Sequence, residues 1–382
     1  MRNILIIGGV AAGATAAART RRLDPEARIT LLEAGADVSF ANCGLPYYLG
    51  GDIEHRSSLI LASPQTFYDQ YRIEVHTNTE AIHIDRTQKH VLARNTQDDS
   101  ETRYPYDKLI LAQGGKPLVP SLPGVEKEHV FQLWTLEDMD SIDSYLTSRE
   151  PQNAVVVGGG FIGLEMVEAL RERNLGVSLV EMEDQVFISA DPEMVSPVQK
   201  QLEMEGVDMR LGMSITGIET DGPEVSARLS SGEKIQCGIV ILAVGVRPEV
   251  DLARNAGLKI GDSGGISVDK HMQTSDPDIY AVGDAVEVSH YVSGNKTLIP
   301  LAGPANRQGR IAADNVFGRD SVYKDSQGTA ICKVFHLGIG MTGMSEKQLK
   351  DAGMVYEKIY VHPASHASYY PGASQINLKL LF

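Results

Sequence analysis

The sequence predicts an α/β protein made of two copies of one strand, glycine turn, helix and strand unit, followed by a smaller α+β region. Three observations carry this. A buried-strand pattern runs into a glycine turn between Asn3 and Gly13. The same pattern returns between Asn153 and Gly163, so that Gly8 and Gly158 stand 150 residues apart. From about Asp325 the chain changes to an alternating pattern followed by a short helical one. Its 382 residues leave room for two or three domains of ordinary size.

Composition narrows the class. Hydrophobic residues make up 42% and charged residues 22%, the balance of a chain with a core to bury, which excludes a disordered chain, a collagen and a disulfide-knotted miniprotein. Lys+Arg 35 against Asp+Glu 50 gives a net charge of −15. Phosphate-rich partners need a basic field, so neither nucleic acid nor a membrane surface is an expected partner. Cys43, Cys237 and Cys332 are few and far apart, which implies no disulfide framework and a reducing compartment. No metal site is expected. The apolar stretch Ile4 to Ala18 resembles a secretory signal only superficially. It contains three glycines and falls short of the ~20 residues of a membrane span. A buried strand and turn explain it, and a cytoplasmic location is expected.

Asn3 to Ile7 is a short β-branched run that suits a strand buried on both faces. Gly8, Gly9, Val10, Ala11, Ala12 and Gly13 follow, then an alanine-rich helix to about Leu23. After the Asp24-Pro25 break a second strand, 27–32, is closed by Glu33. Glycines in such a turn let backbone approach a pyrophosphate at the helix N-terminus, and the acid accepts a hydrogen bond from a ribose hydroxyl. Val10 stands where the second glycine of G-x-G-x-x-G belongs, and a tight turn without ligand would explain this copy alone. The second copy is complete. Asn153 to Val157 leads into Gly158, Gly159, Gly160, Phe161, Ile162 and Gly163, a helix from Leu164 to about Arg173, a strand 176–180 and Glu181. Two such Rossmann-like units imply two dinucleotides.

On these two fingerprints the sequence resembles the two-dinucleotide flavoprotein disulfide reductases over nearly its whole length. The resemblance implies FAD on the first unit and NADH on the second, with NADPH as the variant cofactor. It also implies a discontinuous FAD domain at 1–112 and 248–324, a nicotinamide domain at 113–247 and a C-terminal dimerisation domain from 325 to 382. Tyr106 to Gly115 and Ile239 to Pro248, the latter containing Gly245, resemble the strands that leave each unit. Thr274 to Asp284 resembles the family's second FAD motif, with Gly283 and Asp284 at the ribityl chain; a plain strand-end aspartate is the alternative. Glu165 matches a glutamate beside the nicotinamide, or is a solvated helix carboxylate. Glu181 is expected to favour NADH, because a 2′-phosphate would meet its charge.

The run Ser39-Phe-Ala-Asn42-Cys43-Gly-Leu-Pro46-Tyr-Tyr48 selects a branch. Reductases of the glutathione type have a second cysteine five positions on, where this chain has Tyr48. A single cysteine cycles through a mixed disulfide, a persulfide or a sulfenic acid. Pro46 suits the first turn of a helix, so Cys43 is expected near a positive helix end that favours its thiolate. Single-cysteine oxidases and peroxidases have a histidine in the first glycine loop, where this chain has Ala11. The run instead resembles coenzyme A-disulfide reductases and the related coenzyme A persulfide and polysulfide reductases. The expected activity passes electrons from NADH through FAD to Cys43 and on to a coenzyme A-linked or polysulfide sulfur. An NADH oxidase and a non-enzymatic flavin sensor or electron carrier are the alternatives.

That resemblance implies a coenzyme A site at Thr15, Arg19, Arg22, Ser39 and Asn42, with Asn42 and Cys43 also against the flavin. Arg19 and Arg22 lie three apart, hence on one helix face with Arg21 turned away, and guanidinium groups match phosphate oxygens. The plain alternative is a solvated face. Tyr71 stands where family members often have a lysine, with Arg72 beside it. Asn306 and Arg307 match a segment near substrate and flavin, or cap a helix running to about Val316. In the third region, 329–335 reads as a strand and 345–352 as a helix. His366, Tyr369 and Tyr370 match residues that approach the partner subunit's cysteine in a homodimer, or form a surface loop. The chain ends in an apolar strand, 376–382, which leaves a sheet edge unguarded and suggests a shortened dimerisation domain.

Overall fold

The computed structural model describes residues 2–221 and 224–382. Its first sheet has five parallel strands in the order Ile279–Ala281, Lys108–Leu111, Asn3–Ile7, Arg28–Leu32 and Ile73–His76. Helix α1 (Ala11–Leu23) follows the first glycine turn. The short α2 (Leu45–Gly50) follows the Cys43 turn, and α3 (Pro64–Tyr71) leads to the edge strand. An antiparallel meander of Thr79–Asp85, His90–Asn95 and Glu101–Pro105 crosses back to Lys108–Leu111.

The second unit repeats this order. After α4 (Leu136–Arg149) its parallel sheet runs Asp208–Arg210, Gly176–Val180, Asn153–Val157, Ile239–Leu242 and Val130–Phe131. Helices α5 (Phe161–Glu172) and α6 (Pro192–Met204) connect its strands. A meander of Ile215–Asp221, Glu224–Leu229 and Lys234–Cys237 returns the chain. Both central strands are sunk in the core: Ile4 to Ile7 and Ala154 to Val157 are buried throughout, which is why both segments are uninterrupted apolar runs. The chain then rejoins the first sheet through α7 (Asp251–Asn255) and packs α8 (Ala302–Val316) against α1.

The glycine turns show why the spacing is fixed. A Cβ on Gly8 would sit 2.2 Å from the Ala112 carbonyl oxygen, and one on Gly13 would sit 1.8 Å from that of Gly8. In the second unit a Cβ on Gly158 would lie 2.3 Å from the Ala243 oxygen, and one on Gly163 1.8 Å from that of Gly158. Gly160, the position matched by Val10, has no protein atom within 4 Å of an added Cβ. The departure at Val10 therefore costs the fold nothing.

In the third region a hairpin of Ala330–Val334 and Leu337–Met341 precedes α9 (Glu346–Asp351). Ser345 and Gln348 form the capping box that starts α9. The final strand, Leu378–Leu381, pairs only with Lys358–Val361 among the described residues. It is fastened by Lys379, whose Nζ lies 2.9 Å from Asp191, 2.6 Å from Glu193 and 2.6 Å from Glu346. Two expectations need correction. The second glycine-turn helix starts at Phe161 rather than Leu164, because Gly160 already serves as its N-cap. Asn306 and Arg307 lie inside α8 and cap nothing. No helix among the described residues is long and apolar enough to cross a membrane.

Candidate active site

The carboxyl ends of both central strands open into one cavity of about 2230 Å³. In open parallel sheets ligands bind in this place, where strand order reverses beside the first strand. From the first unit the cavity is lined by Gly8 to Ala12, Glu33, Asn42 and Cys43, and by Gly283 and Asp284. From the second it is lined by Gly160, Phe161, Ile162, Glu165 and Gly245. Gly13, Gly158 and Gly163 stand behind the turns, where their missing side chains permit close packing. Glu181 lies outside the cavity lining.

The two acids repeat one geometry. Glu33 accepts the Gly9 N–H at 2.7 Å and the Gly35 N–H at 3.0 Å, one on each oxygen. Glu181 accepts the Gly159 N–H at 2.6 Å and the Glu183 N–H at 2.9 Å in the same way. Each acid thus splints its glycine turn to the end of the second strand, leaving lone pairs for a ribose diol. Burial raises the Glu33 carboxyl above its ordinary range, against the pull of those backbone donors. Asp284 is pushed up to about 6 by burial. A half-buried carboxyl with a raised pKa, beside glycine turns cleared of side chains, fits the hydroxyl-rich chain and pyrophosphate of a flavin dinucleotide.

Cys43 sits in the turn Asn42–Gly44 just ahead of α2 and is exposed. Its electrostatics reverse the sequence expectation. Partial burial, then the Glu165 charge, push the Cys43 thiol up, and its own backbone N–H lowers it by less. The six-residue α2 sets only its first-turn backbone donors against these two effects. Cys237 and Cys332 are buried, with thiols pushed up to about 11 and about 12 by burial.

Glu165 reaches the cavity from α5, one turn after the second glycine turn, and burial pushes it up to about 7. The Tyr47 hydroxyl donates to its Oε1 at 3.3 Å. One turn on, the buried Glu168 accepts Lys333 Nζ at 2.5 Å and the Phe335 N–H at 2.7 Å. Tyr47, Glu168 and Lys333 lie behind Glu165, outside the cavity lining, and these contacts were not legible in the sequence. The available signal was the second carboxylate, three positions after Glu165 on an apolar helix, since buried charge demands a partner.

Of the residues expected at coenzyme A, Asn42 lines this cavity, while Ser39, Thr15, Arg19 and Arg22 of α1, Tyr71 of α3, and Asn306 and Arg307 of α8 lie outside its lining. Thr15 Oγ1 donates to Asn306 Oδ1 at 2.7 Å, and Arg22 stacks over the Tyr71 ring at 5.7 Å. Arg19 pairs with the buried Asp314 at 2.7 Å. Arg21 clamps the end of α3 through the carbonyls of Tyr71 and Arg72 at 2.6 and 2.8 Å. Ser39 adopts φ 53° as its backbone bridges Gly9 and Leu61, and Asn42 donates to the Trp134 carbonyl at 3.3 Å. Arg307 is exposed. His366, Tyr369 and Tyr370 are exposed and do not line the cavity of their own chain.

Two glycine-turn units facing one cysteine define a flavin- and pyridine-nucleotide-dependent oxidoreductase. Residues 2–309 match the family described as pyridine nucleotide-disulphide oxidoreductase, and the chain belongs to that family. It is similar to reduced Bacillus anthracis CoADR-RHD, at 44% identity with a TM-score of 0.97, covering 100% of this chain and 68% of that one. A NAD-dependent persulfide reductase from A. fulgidus gives 38% and 0.96, covering 99% of this chain and 71% of that one. Among curated relatives, a NADH oxidase of Methanocaldococcus jannaschii is 35% identical over 99% of this chain and 84% of its own length. A coenzyme A disulfide reductase of Staphylococcus epidermidis is 34% identical over 100% and 85%.

Proposed function

We propose that this enzyme reduces a coenzyme A-linked sulfur at Cys43 with electrons from NADH. The observation that carries the reading is the single exposed Cys43 at the cavity shared by both glycine turns, with no second cysteine among the described residues that line it. FAD, when bound, would accept one hydride from NADH and pass its two electrons to a disulfide formed between Cys43 and the substrate sulfur. The overall balance is coenzyme A disulfide + NADH + H⁺ → 2 coenzyme A + NAD⁺, or coenzyme A persulfide + NADH + H⁺ → coenzyme A + hydrogen sulfide + NAD⁺. In this reading Gly8 to Gly13, Glu33 and Asp284 hold FAD within 1–112 and 248–324. Gly158 to Gly163, Glu165, Glu181 and Gly245 hold NADH within 113–247. Thr15, Arg22, Tyr71, Asn306 and Arg307 offer hydroxyl, amide and guanidinium groups to coenzyme A beside the cavity, with Ser39 and Asn42 leading toward Cys43. Asn42 and Cys43 also face the flavin.

A homodimer belongs to the proposal. Tyr369 is 90% and Tyr370 66% exposed, and a second subunit would cover them and bring His366 to its partner's site. The similarity to a NADH oxidase favours a second reading, in which Cys43 as a sulfenate supports reduction of oxygen. Anaerobic NADH oxidation with coenzyme A disulfide, coenzyme A persulfide and polysulfide offered separately tests the first reading. Turnover with one of them supports it. Turnover with oxygen alone, and with none of the three, replaces it by the second.

A further inference from the structure

Tyr47 belongs to α2, four residues after Cys43, yet it points at the other unit. Its hydroxyl donates to Glu165 Oε1 at 3.3 Å, long for an O–H···O bond. Glu165 lines the cavity between the turn residues Phe161 and Ile162 and the Cys43 segment, at the junction of the two dinucleotide units. Lys333 Nζ stands over the Tyr47 ring, 5.7 Å from its centroid, and pairs with Glu168. A cation over the ring makes the phenol a stronger donor. The hairpin 330–341, α2 and α5 are thus joined at one side chain.

We infer that Tyr47 is a positioning residue whose hydroxyl holds the Glu165 carboxylate toward the nicotinamide. The inference rests on the placement of Glu165 beside that ring proposed above. NADH bound there would supply a hydride with both electrons to FAD, NADH + FAD → NAD⁺ + FADH⁻, leaving a cationic ring for Glu165 to face. A fixed carboxylate stabilises that growing charge, whereas a protonated Glu165 does not. The groups facing Glu165 decide which form is present. Burial and the Glu168 charge push it toward the acid, and the Tyr47 donor pulls it back. Cys43 and Cys332 both feel its charge. Lys333 is spent on Glu168 and Asp52. Tyr47 itself stays protonated, since burial and the Glu165 charge raise its phenol far above neutrality. Loss of this donor therefore moves Glu165 toward its neutral form. A hydrogen bond to an ionised carboxylate is stronger than one to its neutral acid, so this donor favours the carboxylate.

The test is stopped-flow reduction of the holoenzyme's flavin by NADH across about pH 5.5–9, paired with NAD⁺ affinity at fixed pH. In Tyr47→Phe the rising limb of the rate profile moves up by about 0.5–1 pH unit, the equivalent of one net hydrogen bond. NAD⁺ binds about threefold more weakly near neutral pH while NADH affinity changes less. Glu165→Gln removes the limb, and adding Tyr47→Phe to it changes nothing further. An unmoved limb in Tyr47→Phe, or an effect of equal size in the Glu165→Gln background, overturns the inference. Should Tyr47→Phe lose its flavin, Glu165→Gln alone decides, and a limb that survives there overturns it. If NADH fails to reduce the wild-type flavin at all, the placement of Glu165 fails instead.

Discussion

Arg19 reaches from α1 to the buried Asp314 of α8, with both Nε and Nη2 at 2.7 Å from Oδ1. Asp314 also accepts the Ser321 hydroxyl at 3.0 Å, so this arginine is part of the joint between two helices. Arg22 pairs with no carboxylate among the described residues; it lies over Tyr71. The two arginines that share a helix face therefore do different work, and they separate a phosphate contact from a structural one.

Arg22→Ala should raise KM for coenzyme A disulfide several-fold and leave flavin reduction by NADH unchanged. A charge-assisted hydrogen bond to phosphate contributes about 1.5–3 kcal/mol, less at an exposed position. Arg19→Ala should instead lower Tm, because it strands the Asp314 carboxylate. Steady-state kinetics and a melting curve on both variants check this. A KM unmoved by Arg22→Ala would return that residue to the solvated surface.

Cys43→Ser should abolish turnover with every sulfur acceptor and preserve reduction of flavin by NADH, while Cys237→Ser and Cys332→Ser leave turnover in place. Alkylation of the wild-type flavin-free protein by iodoacetamide should rise with pH beyond the ordinary thiol range, since burial and Glu165 disfavour the thiolate. Glu165→Gln should move that profile to lower pH. A profile centred below the ordinary thiol value in wild type would contradict the electrostatics described for Cys43.

NADH should give a higher kcat/KM than NADPH. Both Glu181 oxygens are fixed by backbone donors, from Gly159 and Glu183, so the carboxylate cannot swing away from a 2′-phosphate. Glu181→Gln should narrow the preference through KM for NADPH. It should also loosen the glycine turn slightly, because one oxygen acceptor becomes an amide.

Asp284 predicts a stability slope in the flavin-free protein. Its carboxyl is pushed up to about 6 on folding, from an unfolded value near 3.9. The folded state then binds more protons than the unfolded one between those values, so stability falls as pH rises from about 4 to about 6. Asp284→Asn should flatten that part of a denaturation series. An equal slope in the variant would place the titration elsewhere.

The two glycine fingerprints and their acids were legible in the sequence because their physics is local. A glycine with φ above zero and a Cβ-sized clash with a neighbouring strand leaves the same mark wherever the unit occurs, and it occurs twice at Gly8 and Gly158. The lone Cys43 was legible for a similar reason, since a missing second cysteine changes the chemistry whatever surrounds it. What only the tertiary structure decided are the pairings between distant segments. Arg19 and Arg22 look alike until α8 brings Asp314 to one of them. Cys43 precedes a proline-led helix, but its thiol is set by burial and by Glu165 from the other unit, 122 residues away. Tyr47 meets Glu165 and Lys333 only because the fold brings segments more than 100 residues away to it. Desolvation and charge depend on what surrounds a group in space, and spacing along the chain does not contain that.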